Sequence, residues 1–271
     1  MNFSFSRHSN PIVKNLLIIN ILLLLATFVI ESTYSLDLTR YLGLYYPASE
    51  NFRPYQFITH MFMHGGLTHL FFNMFALWMF GKVLENVWGS KRFLFYYLVT
   101  GVGAAILHTL VIHFQISAII DTANTFLNNP TPELFSAFIR KHVSQPSAQL
   151  IDFITDWEQN PSSYYLISFA KGYVNDMITM KTNIPTVGAS GAVFGVLLAF
   201  GMMFPNVQLM LLFPPVPIKA KYFVTGYGLI ELYLGITQPG SQVAHFAHLG
   251  GMLFGFFLIR YWNKNRIEFL E

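Results

Sequence analysis

Cysteine is absent from the 271 residues, which rules out disulfides, thiolate catalysis and cysteine-held metals. Charge is scarce. Asp, Glu, Lys and Arg make up 11% of the chain, against about 25% in a soluble domain. That leaves too little polar surface to cover a globule of this size. The net charge of +3 is small and points to no nucleic-acid partner. No H-E-x-x-H occurs, and no Asp or Glu joins the histidines by spacing, so neither a metal site nor a cofactor is called for. No internal repeat of the transporter kind is present. The chain has apolar mass instead: 54% hydrophobic and 17% aromatic residues, with a mean hydropathy of +0.46. The class is an all-α, polytopic membrane protein whose surroundings are lipid.

Six apolar spans follow from the hydropathy pattern, at about 12–30, 68–84, 93–114, 187–204, 222–236 and 243–262. The first is too long for a signal-peptide core, and the bulky Thr27-Phe28-Val29-Ile30-Glu31 offers no cleavage site. It reads as a retained helix. Lys and Arg near span ends set orientation. Arg7, Lys14, Lys82, Lys91, Arg92, Lys219, Lys221, Arg260, Lys264 and Arg266 fall on one side, which includes both termini and the proline-rich turn Phe213-Pro214-Pro215-Val216-Pro217. The 31–62 loop has Arg40 and Arg53 against three acids, and the linker 237–242, with Pro239, Gly240 and Gln242, has no basic residue. Both termini are therefore expected in the cytoplasm, and spans two, four and six run inward from the outer face. The short basic N-terminus suits a bacterial inner membrane.

One membrane domain is expected over 1–271, with 115–185 as an outward-facing helical insert between spans three and four. Within it, 132–143, 147–159 and 162–180 carry apolar residues at helical spacing. Phe135, Phe138 and Ile139 form one stripe; Leu150, Phe153, Ile154 and Trp157 form another. A cap packed on itself accounts for them. Trp78, Trp88, Tyr96 and Tyr97 read as interfacial aromatics.

Polar side chains inside lipid are expensive, so each needs a reason. Span four opens with Thr186-Val187-Gly188-Ala189-Ser190-Gly191. Alone, this stretch reads first as close packing, with Gly191 and Gly195 as a G-x-x-x-G pair, and only second as a nucleophile with room around its hydroxyl. Span two supplies His69 and Asn73, four apart and so on one helical face. Span six supplies His245 and His248, with Gly251 and Gly255 on the His248 face. His69, Ser190 and His248 all fall near the outer ends of their helices, roughly 5–10 Å deep. Three helices offering polar groups at one level argue for a site. A serine needs a base to take its proton; a neutral histidine takes it and returns it to the leaving amine. The oxyanion needs donors, and the Asn73 amide, the His69 ring N–H and the Ser190 backbone N–H qualify. No acid is expected to orient the base. Glu231, in span five, is left outside the site, so a Ser190–His248 dyad is the expectation. His245 is expected to be a satisfied or water-facing histidine.

The pattern resembles the rhomboid family of intramembrane serine proteases. The matching pieces are His64 with His69 and Asn73, then Gly188-Ala189-Ser190-Gly191, then Ala247-His248-Leu249-Gly250-Gly251 continued to Gly255; the Trp78–Gly89 stretch with Glu85 is also similar. The resemblance covers about 50–114 and 186–262. It implies a six-helix bundle and an endopeptidase that cuts transmembrane protein substrates near their outer end. It implies Ser190 as nucleophile, His248 as base and His69 with Asn73 as oxyanion donors, supported by Gly188, Gly191, Phe194 and Gly251. His64 is implied to be structural. Family members often carry a tyrosine four residues after the serine, stacked on the imidazole; here it is Phe194. The ring face remains and the hydroxyl does not. The other expectation for the same fold is a catalytically silent binding or quality-control protein.

Overall fold

In hydrocarbon a backbone N–H or C=O finds no water, so apolar runs become helices that satisfy these groups internally. The computed structural model follows that rule, with one short two-stranded sheet among the helices of its described residues. It describes residues 10–210, 215–238, 241 and 243–267, the last four by backbone alone. Arg7, Phe213, Pro214, Pro239, Gly240 and Gln242 lie outside the described residues, as do the side chains of Lys264 and Arg266.

Helix α1 (Pro11–Tyr34) starts with proline, where a missing N–H costs nothing. The following loop holds the single turns α2 (Thr39–Leu42) and α3 (Gln56–Thr59), then a 3-10 turn at His60–Phe62. The second span is α4 (Leu67–Ala76), a π-helical stretch Leu77–Gly81, and α5 (Lys82–Trp88). Helix α6 runs Ser90–Asn128. Then come α7 (Pro132–His142), α8 (Ala148–Gln159), α9 (Tyr164–Thr182) and α10 (Ser190–Met203). Strands β1 (Gln208–Met210) and β2 (Pro217–Lys219) pair antiparallel before α11 (Ala220–Thr237) and α12 (His245–Ile267). Helices thus stand at all six expected spans.

Among the described residues, Pro11–Tyr34, Leu67–Trp88 and Ser90–Asn128 are long and apolar enough to cross a membrane, and Ser190–Met203 is a shorter apolar helix. Helix α1 leaves Ile18, Leu22, Leu25 and Val29 exposed. Such a stripe on a helix otherwise packed against neighbours faces lipid. The chain is an all-α, multi-pass membrane bundle.

The described chain divides into two compact units. One comprises Tyr46–Glu50 and Leu110–Ile184. Its core is aromatic, with Phe126, Phe135, Phe138 and Trp157 buried beside Ile139 and Val174. Helices α7 and α8 start where the Thr131 and Ser147 hydroxyls accept the Leu134 and Leu150 N–H groups, each at 3.3 Å, as N-caps do. The other unit contains the remaining helices. Leu77, Leu84, Phe93, Tyr96, Val196 and Phe200 lie in its core. Glu85 is buried there and closes the start of α1, accepting the Ile12 and Val13 N–H groups at 3.0 and 2.9 Å and the Ser90 hydroxyl at 2.6 Å.

Two expectations change. The helix of the third span does not end near Phe114: α6 continues to Asn128. Gln115 and Asp121 are polar but not helix breakers, and the first breaker is Pro130, which disfavours helix in the residue before it. Tyr96 and Tyr97 are not interfacial. Both are fully buried, and the Tyr96 hydroxyl donates to the Gly195 carbonyl at 2.8 Å.

Candidate active site

Ser190 is the first residue of α10. Backbone N–H groups in a first turn have no partner within their helix. The residues before it turn sharply: Gly188 has φ +128, and its N–H donates to the His60 carbonyl at 2.9 Å. A Cβ at Gly188 would stand 2.7 Å from the His69 ring and 3.7 Å from Ser190 Oγ. Both its backbone and the space above it therefore require glycine. The same measurement places the His69 ring over the turn, next to the serine.

Helix α12 brings His248. The Ser190 hydroxyl donates to His248 Nε2 at 2.8 Å. The two helices come this close because Gly191 and Gly251 face each other: a side chain on Gly251 would overlap the Gly191 carbonyl. Gly191 also abuts Ala104, Gly195 abuts Thr100, and Gly255 abuts the Tyr96 hydroxyl. The glycine pairs read from the sequence are thus contact points of α10 and α12 with each other and with α6. Phe194 lies flat on the imidazole, with centroids 4.1 Å apart and planes at 4°. Its other neighbour is Tyr227, at 4.8 Å.

His69 and Asn73 share one face of α4. His69 Nδ1 accepts the Gly65 N–H at 3.4 Å, which leaves Nε2 to carry the ring proton. Asn73 is buried, and its Nδ2 donates to the His69 carbonyl at 2.9 Å. Its amide is therefore held by its own helix in this structure. His64, ahead of α4, is buried with its ring edge-on to His69 at 5.1 Å. Burial, then the neighbouring His69, pushes His64 down to about 4. A cavity with room for about one water molecule borders Ser190, lined by His60, Gly188, Gly191, Ala244 and Ala247 among others.

The expectation that no acid is placed beside His248 does not hold. Glu231 of α11 is buried, and its Oε2 accepts from His248 Nδ1 at 2.9 Å. The same oxygen accepts from His245 Nδ1 at 2.6 Å. His245 is thus satisfied but buried, not water-facing. An acid thus joins the histidines in space, though none does by spacing. Glu231 is far from both in sequence, and only the packing of α11 on α12 brings it there. A signal was present: an ionisable residue inside an apolar helix is by default a functional candidate. Among the described residues, Glu231, His245 and His248 are also a group whose ligand atoms lie within 4.8 Å of one another, as a metal would need. Here both imidazoles point at one carboxylate oxygen at hydrogen-bond distance, which is donors around an acceptor.

A family model, described as the rhomboid domain, matches residues 51–118 and 160–264. Similar curated proteins include rhomboid-like protein 15 of Arabidopsis thaliana, 40% identical over 60 residues, 22% of this chain and 15% of that one. Rhomboid-like protein 11, chloroplastic, of the same plant is 43% identical over 58 residues, 21% of each chain. The rhomboid protease GluP of Bacillus subtilis is 40% identical over 52 residues, 19% of this chain and 10% of its own. The alignments therefore span about a fifth or less of those relatives. With the family model covering most of the chain, and helices standing at all six expected spans, the chain belongs to the rhomboid family.

Proposed function

We propose that this protein is an intramembrane serine endopeptidase that hydrolyses peptide bonds of transmembrane proteins near their outer ends. The observation that carries the reading is the 2.8 Å contact between Ser190 Oγ and His248 Nε2, made between two helices. In the proposed reaction His248 takes the hydroxyl proton as Oγ attacks the scissile carbonyl. The Ser190 N–H, the His69 ring N–H and the Asn73 amide, once released from the His69 carbonyl, donate to the oxyanion. His248 returns the proton to the leaving amine, and a water then hydrolyses the acyl-enzyme by the same base. The cavity beside Ser190 suits that water. Substrate helices must open to expose a carbonyl, so helix-weakening residues near the cleaved bond favour cutting.

Lys and Arg distribution supports cytoplasmic termini, which would put Ser190 and the 115–185 insert toward the outer face. A bacterial inner membrane is part of the same proposal; the matching relatives come from a plant and from Bacillus alike. The test is fluorophosphonate labelling of the detergent-solubilised protein, with cleavage of a transmembrane reporter. Wild type should label and cleave, and Ser190→Ala and His248→Ala should do neither. A folded wild type that does neither would leave the silent, binding member of the family as the reading.

A further inference from the structure

Glu231 is 4% exposed in the middle of α11, with a function still to be found. A carboxylate buried in a membrane helix is costly unless partners satisfy it. Two do, on one oxygen: His245 Nδ1 at 2.6 Å and His248 Nδ1 at 2.9 Å. We propose that Glu231 is a positioning residue for His248, making the site a Ser190–His248–Glu231 triad, with His245 as the second donor that holds the carboxylate in place. This rests on the endopeptidase reading and deepens it.

The geometry leaves little choice of tautomer. A carboxylate oxygen only accepts, so His248 Nδ1 carries the hydrogen. Nε2 is then the bare nitrogen, and it is the atom that meets Ser190 Oγ. Without Glu231 a neutral ring is free to carry its hydrogen on Nε2 instead, where it cannot take the serine proton. The ring is fixed in two different senses. Phe194, parallel to it at 4.1 Å, sets the plane of the imidazole. Glu231 sets the rotation within that plane. When His248 accepts the proton, the new imidazolium lies against a carboxylate in a site of low dielectric, where such a pairing matters most.

His245 does not stack on His248; the rings are 6.4 Å apart at 89°. Its hydrogen bond to the site is the one to Glu231 Oε2. Gly235 makes room for it, since a side chain there would stand 3.2 Å from His245 Cβ. The carboxylate is therefore held from one side by a group outside the reaction path, as the third member of a hydrolase triad is held by its surroundings.

The experiment measures fluorophosphonate inactivation of the full chain in micelles, separating the limiting rate from the half-saturating probe concentration. Active-site titration and thermal unfolding accompany it. Glu231→Gln should lower the limiting rate per active site on the order of 10²-fold, with half-saturation unchanged. Glu231→Asp should recover part of the loss, and His245→Gln should lower the rate several-fold. If Glu231→Gln does not fold, His245→Gln carries the test alone. Rates per active site within about twofold of wild type in the folded variants would overturn the proposal and leave the endopeptidase reading standing. Fewer active sites at an unchanged rate would do the same, since that is a structural role only. Activity lost to a chelator and restored by zinc would overturn it in favour of a metal at these three side chains. An unlabelled wild type would remove this proposal together with the reading beneath it.

Discussion

Phe194 is the residue on which the site's rigidity is easiest to measure. Its ring covers one face of His248 and touches Tyr227 behind it. An aromatic contact of this kind is worth about 0.5–1.5 kcal/mol beyond burial, or roughly 2–10-fold if all of it acts on the rate. Phe194→Ala is therefore expected to slow reporter cleavage by about that factor and also to lower the unfolding temperature, because a buried ring is removed. Phe194→Tyr keeps the face and should keep the rate. Cleavage assays of both variants beside their melting curves decide it; an unchanged rate in Phe194→Ala would show the stack to be packing only.

Helices and their contacts were unequally readable. Apolar runs fix where α1, α4, α6 and α10–α12 lie, because lipid rewards little else. The glycines at 188, 191 and 251 announced close approach, and the structure supplies the partners: the His69 ring, Ala104 and the Gly191 backbone. The far end of α6 is not legible in the hydropathy pattern, because polar residues do not end a helix and the first breaker is Pro130. Glu231 was visible as an oddity, but its target was not. Which way α11 is rotated against α12 is set by tertiary packing, and no spacing rule reaches from 231 to 245 and 248. Two glycines test the contact argument. Gly251→Ala must push against the Gly191 backbone and is expected to cost about 1–3 kcal/mol or more. Gly172 of α9 has open space where its Cβ would go, so Gly172→Ala should be neutral or stabilising by up to about 1 kcal/mol. Thermal unfolding of the two variants should move in opposite directions or differ plainly in size.

At the scale of the molecule, buried neutral histidines set the response to acid. His60 and His64 lie outside the spanning helices, and burial pushes each from the usual 6.5 down to about 4. The folded state thus binds fewer protons than the unfolded chain. The stability these groups allow is fully present above about pH 6.5 and is lost as pH falls toward 4. The midpoint of thermal unfolding should drop across that window, and His64→Asn should make the drop shallower. A midpoint independent of pH from 7 to 4 would contradict their burial as neutral rings.

The π-helical stretch at Leu77–Gly81 has a consequence for the second span as a rod. A wider turn takes up about one extra residue. Everything beyond it is then swung by about 100° of azimuth relative to an unbroken helix. The His69–Asn73 end and the Glu85 end of one rod are thereby aimed separately. One end faces the Gly188 turn and the other receives the first backbone amides of α1. A phase slip of a single residue lets one length of helix serve two docking directions that a uniform pitch would have locked together.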